Sequence, residues 1–211
     1  MGEEMRQLVD ELRYAATHDA LTQVLARGAW FASAQCLIAK ARSAGDRTAV
    51  LMLDIDHFKR INDRFGHAAG DRSLTAFARA VRQSVDDRTV LGRLGGEEFA
   101  LAFRLSSSDG VGEILETIRS PGASLSVDLG DGTTIAFTVS GGVVVRDSAD
   151  DDTLDTMLAV ADRALYLAKA AGRNRIVADE GVVVARDPRT KNAPARPETD
   201  GKAPRRPAVN S

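Results

Sequence analysis

The stretch most suggestive of chemistry is GRLGGEEF, residues 92–99, where two glycines are followed at once by two acids. A two-residue loop of Gly95 and Gly96 would supply the positive φ angles of a primed hairpin turn, and without side chains their N–H groups can approach a ligand closely. That register would set Arg93 opposite Glu98 as an ion pair and send Glu97 and Glu98 to opposite faces of the strand. A second acidic source lies at the end of the apolar run TAVLMLDI, residues 48–55, where Asp54 and Asp56 form a pair. Carboxylates brought together from two strands are one way a sheet holds Mg²⁺ beside phosphates. The plainer readings are an ordinary turn with solvated acids, and an Asp54 or Asp56 that caps the helix beginning at HFKRIND.

That helix start, in DHFKRINDRFGHAAGD (residues 56–71), would present the N–H groups of His57, Phe58 and Lys59 to a phosphate, with the Lys59 charge beside them. Asn62 and Asp71 offer a side-chain amide and a carboxylate, which together complement the acceptor and donor edges of guanine. Read plainly, Asn62 forms a turn and Asp71 is the N-cap of a helix from Arg72. Lys169 and Arg173 lie four apart near the end of the last helix, on one face. They form a cationic pair suited to a triphosphate, or simply neutralise the helix's negative end.

These groups must be positioned by a mixed set of elements. Apolar residues at 30, 34, 37, 38 and 41 have the 3.6-residue period of an amphipathic helix from Gly28 to about Arg42. The run 48–55 has the continuous apolarity of a central strand buried on both faces. Leu74, Phe77, Ala78, Val81 and Val85 mark another helix, TVLGRL and EEFALAF two strands, residues 111–119 a helix and 133–145 one long strand. Leu154, Leu158, Ala161, Leu165 and Ala168 mark the last helix, ending near Gly172. The order predicts an α/β (α+β) sandwich with a central mixed, antiparallel-containing sheet flanked by helices. At the start, Met5, Leu8, Leu12 and Ala15 form a helical seam, read equally well as a coiled-coil stub or as a helix lying on its own domain.

A formal net charge of −2 provides no general basic field, so nucleic acid is not expected as a partner. No apolar run approaches the roughly 18 to 20 residues of a membrane span, and the start lacks a signal pattern; a cytoplasmic location is expected. The three histidines show no metal-ligand spacing, and Cys36, the one cysteine, is assigned to core packing. Five of the six prolines fall after residue 179, in a segment with little apolar content. The expected organisation is an N-terminal helix or linker over 1–16, one domain over 17–178 and a disordered tail over 179–211.

Taken in order, DALT (19–22), DIDHFKRINDRFGHAAGD (54–71), GRLGGEEF (92–99), TVSGGV (138–143) and ALYLAKAAGRNR (164–175) resemble the successive signatures of the GGDEF diguanylate cyclases. The resemblance implies a palm-like nucleotidyl cyclase fold and an enzyme joining two GTP into cyclic di-GMP with release of two pyrophosphates, at the face between two subunits of a homodimer. Asp54, the Ile55 carbonyl and Glu97 match the metal-binding groups, which take Mg²⁺ and could take Mn²⁺. Glu97 also matches the group proposed to deprotonate the attacking 3′-hydroxyl, and Glu98 matches the next acid of the signature, which the resemblance implies as a second catalytic residue with a role at the metal. Asn62 and Asp71 match the guanine contacts. Lys59, Lys169, Arg173 and the N–H groups of His57, Phe58 and Lys59 match phosphate contacts, with Gly95 and Gly96 in the substrate-binding turn. A sensor or partner protein would act through the N-terminal helix.

Two departures stand out. Where product-inhibited members carry Arg-x-x-Asp ahead of the hairpin, this chain has Asp86 and Thr89, which argues against that inhibitory site. Val24 and Ala26 replace the usual Leu and Asn, although Arg27 remains and could pair with Asp19. The alternatives to an active cyclase are a catalytically silent module that binds GTP or a partner protein, and a structural dimerisation domain.

Overall fold

Strand β2 (Arg47–Ile55) is buried at every position from Thr48 onward. It is buried because it is central. Both its edges are paired, antiparallel to β4 (Glu98–Leu105) on one side and to β7 (Val139–Arg146) on the other. In the computed structural model, which describes residues 2–105, 112, 115–119, 126–130, 132–179 and 183–186, the sheet runs β1-β3-β4-β2-β7-β8-β9. Strand β3 (Val90–Gly95) is antiparallel to β4, and the short β1 (Leu25–Ala26) is parallel to β3. Beyond β7, strand β8 (Arg175–Ala178) is parallel to it and β9 (Val183–Arg186) is antiparallel to β8. Strands β5 (Ser126–Asp128) and β6 (Thr134–Ala136) form a separate ribbon. The mixed sheet flanked by helices, the palm-like cyclase architecture expected above, is what the chain forms.

Side chains alternate across β2 with the period of two that a strand imposes. Leu51, Leu53 and Ile55 join one apolar layer with Phe77 and Phe99, whose rings meet edge-on at 5.0 Å. Val50 and Met52 join the opposite layer with Trp30, Met157, Ala161 and Leu165. Helices α3 (Phe58–Phe65) and α4 (His67–Ser84) cover the first face, α2 (Arg27–Ala44) and α5 (Leu154–Ala170) the second. The large buried side chains contribute about 1.5 to 3 kcal/mol each to stability. Trp30 also satisfies its indole, donating Nε1–H to the Val90 carbonyl at 3.1 Å, and its ring occupies the space where a side chain at Gly92 would lie, 2.7 Å from a Cβ there. The same alternation puts Asp54 on the face that α5 covers.

Several expectations need correction. The single strand expected over 133–145 is two, β6 and β7, because the chain leaves the ribbon at Phe137 and enters the main sheet at Val139. Cys36 is exposed rather than in the core, since the buried line of α2 runs through Trp30, Ala34, Ile38 and Ala41. His67, whose place in the sequence suggests a structural histidine with satisfied ring nitrogens, is exposed and opens α4. Helix α1 (Gly2–Thr17) buries no residue, and Met5, Leu8 and Leu12 are 59%, 51% and 61% exposed, so it does not lie on its own domain. The helix expected over 111–119 is helical at 115–119, with Leu115 and Ile118 buried. Strand β9 falls within the stretch assigned to the tail; residues 187–211 lie outside the described residues.

Candidate active site

At the end of β2, Asp54 is 5% exposed and pairs in register with Glu98 of β4 and Ser140 of β7. Its carboxyl is raised from 3.8 to about 6: burial raises it most, Lys169 offsets part of that, and the neighbouring Glu97 and Asp56 charges add to it. Lys169 Nζ lies 2.7 Å from Asp54 Oδ2, reaching it from the last turn of α5. Lys169 and Arg173 do not share a helical face as expected, because α5 ends at Ala170 and Arg173 lies in the turn beyond it with φ 62°; Lys169 does more than offset a helix terminus, since it already neutralises a buried acid. Ile55 closes β2 opposite Val139 and is fully buried. Among the described residues no three acid, histidine or cysteine side chains converge as a preformed metal cage.

The hairpin departs from the expected register. Gly95 belongs to β3 and pairs with Glu98 after a bulge, so the two-residue turn is Gly96 and Glu97, not the two glycines. Gly96 has φ 51°, a left-handed value that favours glycine. Arg93 faces Phe99 instead of Glu98, and no Arg93–Glu98 pair forms. Glu97 is a half-buried turn residue within electrostatic range of Asp54, while Glu98 is exposed.

On the other flank, His57 adopts a left-handed backbone, φ 59°, and α3 opens at Phe58. The first-turn N–H groups of Phe58 and Lys59 therefore have no intrahelical acceptor. Asp56 does not cap this helix: its carboxylate accepts from Thr138, Ser140 and the Asn174 N–H. Asp71 does not cap a helix either, because α4 has already begun at His67, and Asp71 stands exposed within it. Asn62 Oδ1 is buried without a hydrogen-bond partner. A Cβ at residue 70 would lie 2.0 Å from that oxygen, so Gly70 is what lets the amide sit there.

A family model described as the GGDEF domain of diguanylate cyclases matches residues 16–175. The chain belongs to the GGDEF family. It is 34% identical over 175 residues to the diguanylate cyclase DgcM of Escherichia coli K12, covering 83% of this chain and 41% of DgcM; the chain thus spans less than half of that relative. The coiled coil and GGDEF domain of DgcB from Caulobacter crescentus, solved with c-di-GMP, superposes with a TM-score of 0.76 at 31% identity, covering 83% of this chain and 92% of that one. The diguanylate cyclase SiaD of Pseudomonas aeruginosa, solved with its activator SiaC, gives 0.74 at 32% identity, covering 84% and 67%.

In this GGDEF domain the early DALT segment has a structural task. Asp19 accepts from the Thr22 backbone and hydroxyl and from Arg93 Nη1 at 3.0 Å, and Arg93 also donates to the Gly96 carbonyl. The segment therefore braces the hairpin turn. Arg27, expected on Asp19, instead lies over the Phe31 ring at 5.4 Å. Burial raises the Asp19 carboxyl, but the Thr22 and Arg93 contacts outweigh it and hold the group below 3.8. A folded value below the unfolded one adds stability above the ordinary range, lost as pH falls through the lowered value. Asp19→Asn should cost about 1 kcal/mol at pH 7 after discounting for partial exposure. That gap from wild type should narrow as pH falls below 3.8, as thermal unfolding across pH would show; a gap that stays constant on acidification would contradict it.

At the position of the inhibitory motif, Asp86 accepts from Thr89 Oγ1 at 2.8 Å and from the Arg88 N–H at 3.1 Å. The acid closes its own loop. The sequence reading missed Thr138, Ser140, Asn174 and Arg119 as neighbours of the site. The one available signal was the Thr138 and Ser140 hydroxyls two apart where the chain enters β7.

Proposed function

We propose that this domain is a Mg²⁺-dependent diguanylate cyclase that condenses two GTP into c-di-GMP at the face between two copies of the chain. The observation that carries this reading is the buried Asp54 at the tip of β2, flanked by the turn acid Glu97 and by Lys169. Two carboxylates and the Ile55 carbonyl are hard oxygen donors, too few for a closed cage and suited to a cation that shares its remaining positions with phosphate oxygens. Such an ion, Mg²⁺ or Mn²⁺, would supply charge neutralisation at the reacting phosphate.

The chain's own groups divide the remaining work. Asn62 Oδ1, orphaned in a niche that Gly70 keeps open, would accept from guanine, and Asp71 would accept from its ring and exocyclic N–H groups. Adenine presents an acceptor where guanine has the ring N–H, so the carboxylate would repel it. The free amides at the start of α3, with Lys59, Lys169 and Arg173, would hold the triphosphate. Glu97 would take the proton from the 3′-hydroxyl of a GTP carried by the second copy as that oxygen attacks the α-phosphorus and pyrophosphate leaves. Repeating the step with the roles of the two copies exchanged closes the ring.

Purified protein incubated with GTP and Mg²⁺ should yield c-di-GMP, with specific activity rising with protein concentration because two copies must meet. GTP binding without product would favour the silent module. Gly70→Ala provides a narrower check. Its Cβ would displace the Asn62 amide, a movable side-chain tip, so the fold should persist while the KM for GTP rises about tenfold with kcat little changed. An unchanged KM would remove Asn62 from base recognition.

A further inference from the structure

The turn after α5 carries three successive positive φ values, Gly172 at 103°, Arg173 at 62° and Asn174 at 49°. Two of these residues have side chains, and such a backbone persists only where its surroundings over-determine it. The ties come from opposite directions. The Asn174 N–H donates to Asp56 Oδ2 at 3.1 Å, and the same carboxylate accepts from Thr138 Oγ1 at 2.6 Å and Ser140 Oγ at 2.7 Å. Asp56 thereby joins the ends of β2 and β7 to this turn. From the other side Arg119, 3% exposed, donates Nη1–H to Asn174 Oδ1 at 3.2 Å, while Glu116 holds its guanidinium through both carboxylate oxygens. Within the turn, the Arg173 N–H closes α5 onto the Ala168 carbonyl at 3.0 Å, and the Arg173 carbonyl accepts from Arg175 Nε at 2.8 Å.

One side chain in this turn remains available. Arg173 is 41% exposed, with Nε at 4.0 Å from Asp56 Oδ1, so its guanidinium is held beside the tip of β2 with most of its donors unused. We propose that Asp56, Asn174 and Arg119 form a positioning network that fixes the backbone of Arg173, and so sets where its guanidinium meets the substrate's triphosphate. None of the three touches substrate; they act through Arg173. The inference rests on the reading of Arg173 as a phosphate contact. A buried arginine is costly unless its donors are used, and Arg119 spends one on the side chain that follows Arg173.

Asn174→Gly isolates the link, because glycine keeps the left-handed backbone and the N–H to Asp56 while removing the oxygen that accepts from Arg119. Binding is read with 3′-deoxyguanosine triphosphate and Mg²⁺ by calorimetry, since this nucleotide keeps base and phosphates but lacks the attacking hydroxyl. Asn174→Gly and Arg119→Met should each weaken binding about fivefold, and the double variant should be no weaker than either alone, the signature of one shared interaction. With GTP, KM should rise by a similar factor while kcat stays within about twofold, because Asp54 and Glu97 are undisturbed. Asn174→Asp, which restores an acceptor for Arg119, should bind within about twofold of wild type. Unchanged binding in both single variants, or effects that multiply in the double variant, would overturn the network. Wild-type protein that binds the deoxynucleotide yet makes no c-di-GMP would sink the cyclase reading and leave the network standing; wild type that binds no nucleotide would end both.

Discussion

Glu97→Gln should lower c-di-GMP formation by about 10²- to 10⁴-fold, the range that loss of a positioned general base produces, and on the proposed reading the same change also removes a charge from the metal site, which places it at the upper end. Glutamine keeps the volume and turn geometry but cannot take up the hydroxyl proton. Because Glu97 sits in a half-buried turn outside the core, thermal stability should move little. The neighbouring Glu98 supplies an internal control. It is exposed, although it is the in-register partner of Asp54, so Glu98→Gln should retain far more activity. A Glu97→Gln protein that turns over GTP within about tenfold of wild type would remove Glu97 from the chemistry.

The second large effect concerns stability, at Gly142 in β7. A Cβ there would stand 2.0 Å from the Ala161 carbonyl oxygen, 2.2 Å from the Leu165 nitrogen and 2.8 Å from the Ala164 carbonyl carbon. All three are backbone atoms of α5, so no rotamer change can relieve the contact and the helix must retreat from the sheet. Gly142→Ala should therefore destabilise the domain by about 3 kcal/mol or more, lowering the melting temperature by roughly 6 to 12 °C. Gly141→Ala is the milder comparison, because its close neighbours are the tip of Leu53, the Cγ1 of Ile176 and the Met52 carbonyl at 3.1 Å. The loss should extend to function, since Lys169 lies in the last turn of the displaced helix and Arg173 just beyond it. Melting temperatures and GTP rates for the two variants would test this. A Gly142→Ala domain as stable as Gly141→Ala would show that the sheet tolerates a wider helix spacing.

Much of the arrangement was readable because apolar pattern and strand burial are coupled. The continuous run 48–55 could only be central, and its acids at 54 and 56 had to emerge at the sheet's end. The glycines of SGGV belonged to a signature, yet only the packing explains the second of them, as the point where α5 meets the sheet. Local propensity also misled. Asp56 and Asp71 look like helix caps, because an acid before an amphipathic run usually is one; the first is instead claimed by hydroxyls and an amide from a strand and a turn more than 80 residues away, and the second lies inside a helix that starts earlier. Hairpin register failed for a related reason. A bulge between Arg93 and Gly95 shifts the turn by one residue, and Asp19, 74 positions earlier, takes the arginine that the flat ladder would have offered to Glu98.

The order of residues determined by itself the family, through signatures spread along the chain, and the central acidic strand, the presence of a hairpin at the Gly-Gly-Glu-Glu signature and the lysine of the last helical turn, because each of these elements depends on neighbours within a few positions. Only the tertiary structure decided that Lys169 neutralises Asp54, that Gly70 opens the niche of Asn62, and that Arg119 and Asp56 hold the turn of Arg173. These are contacts between segments far apart in the chain, where partner choice is set by how helices seat on the sheet, and no local spacing carries that information.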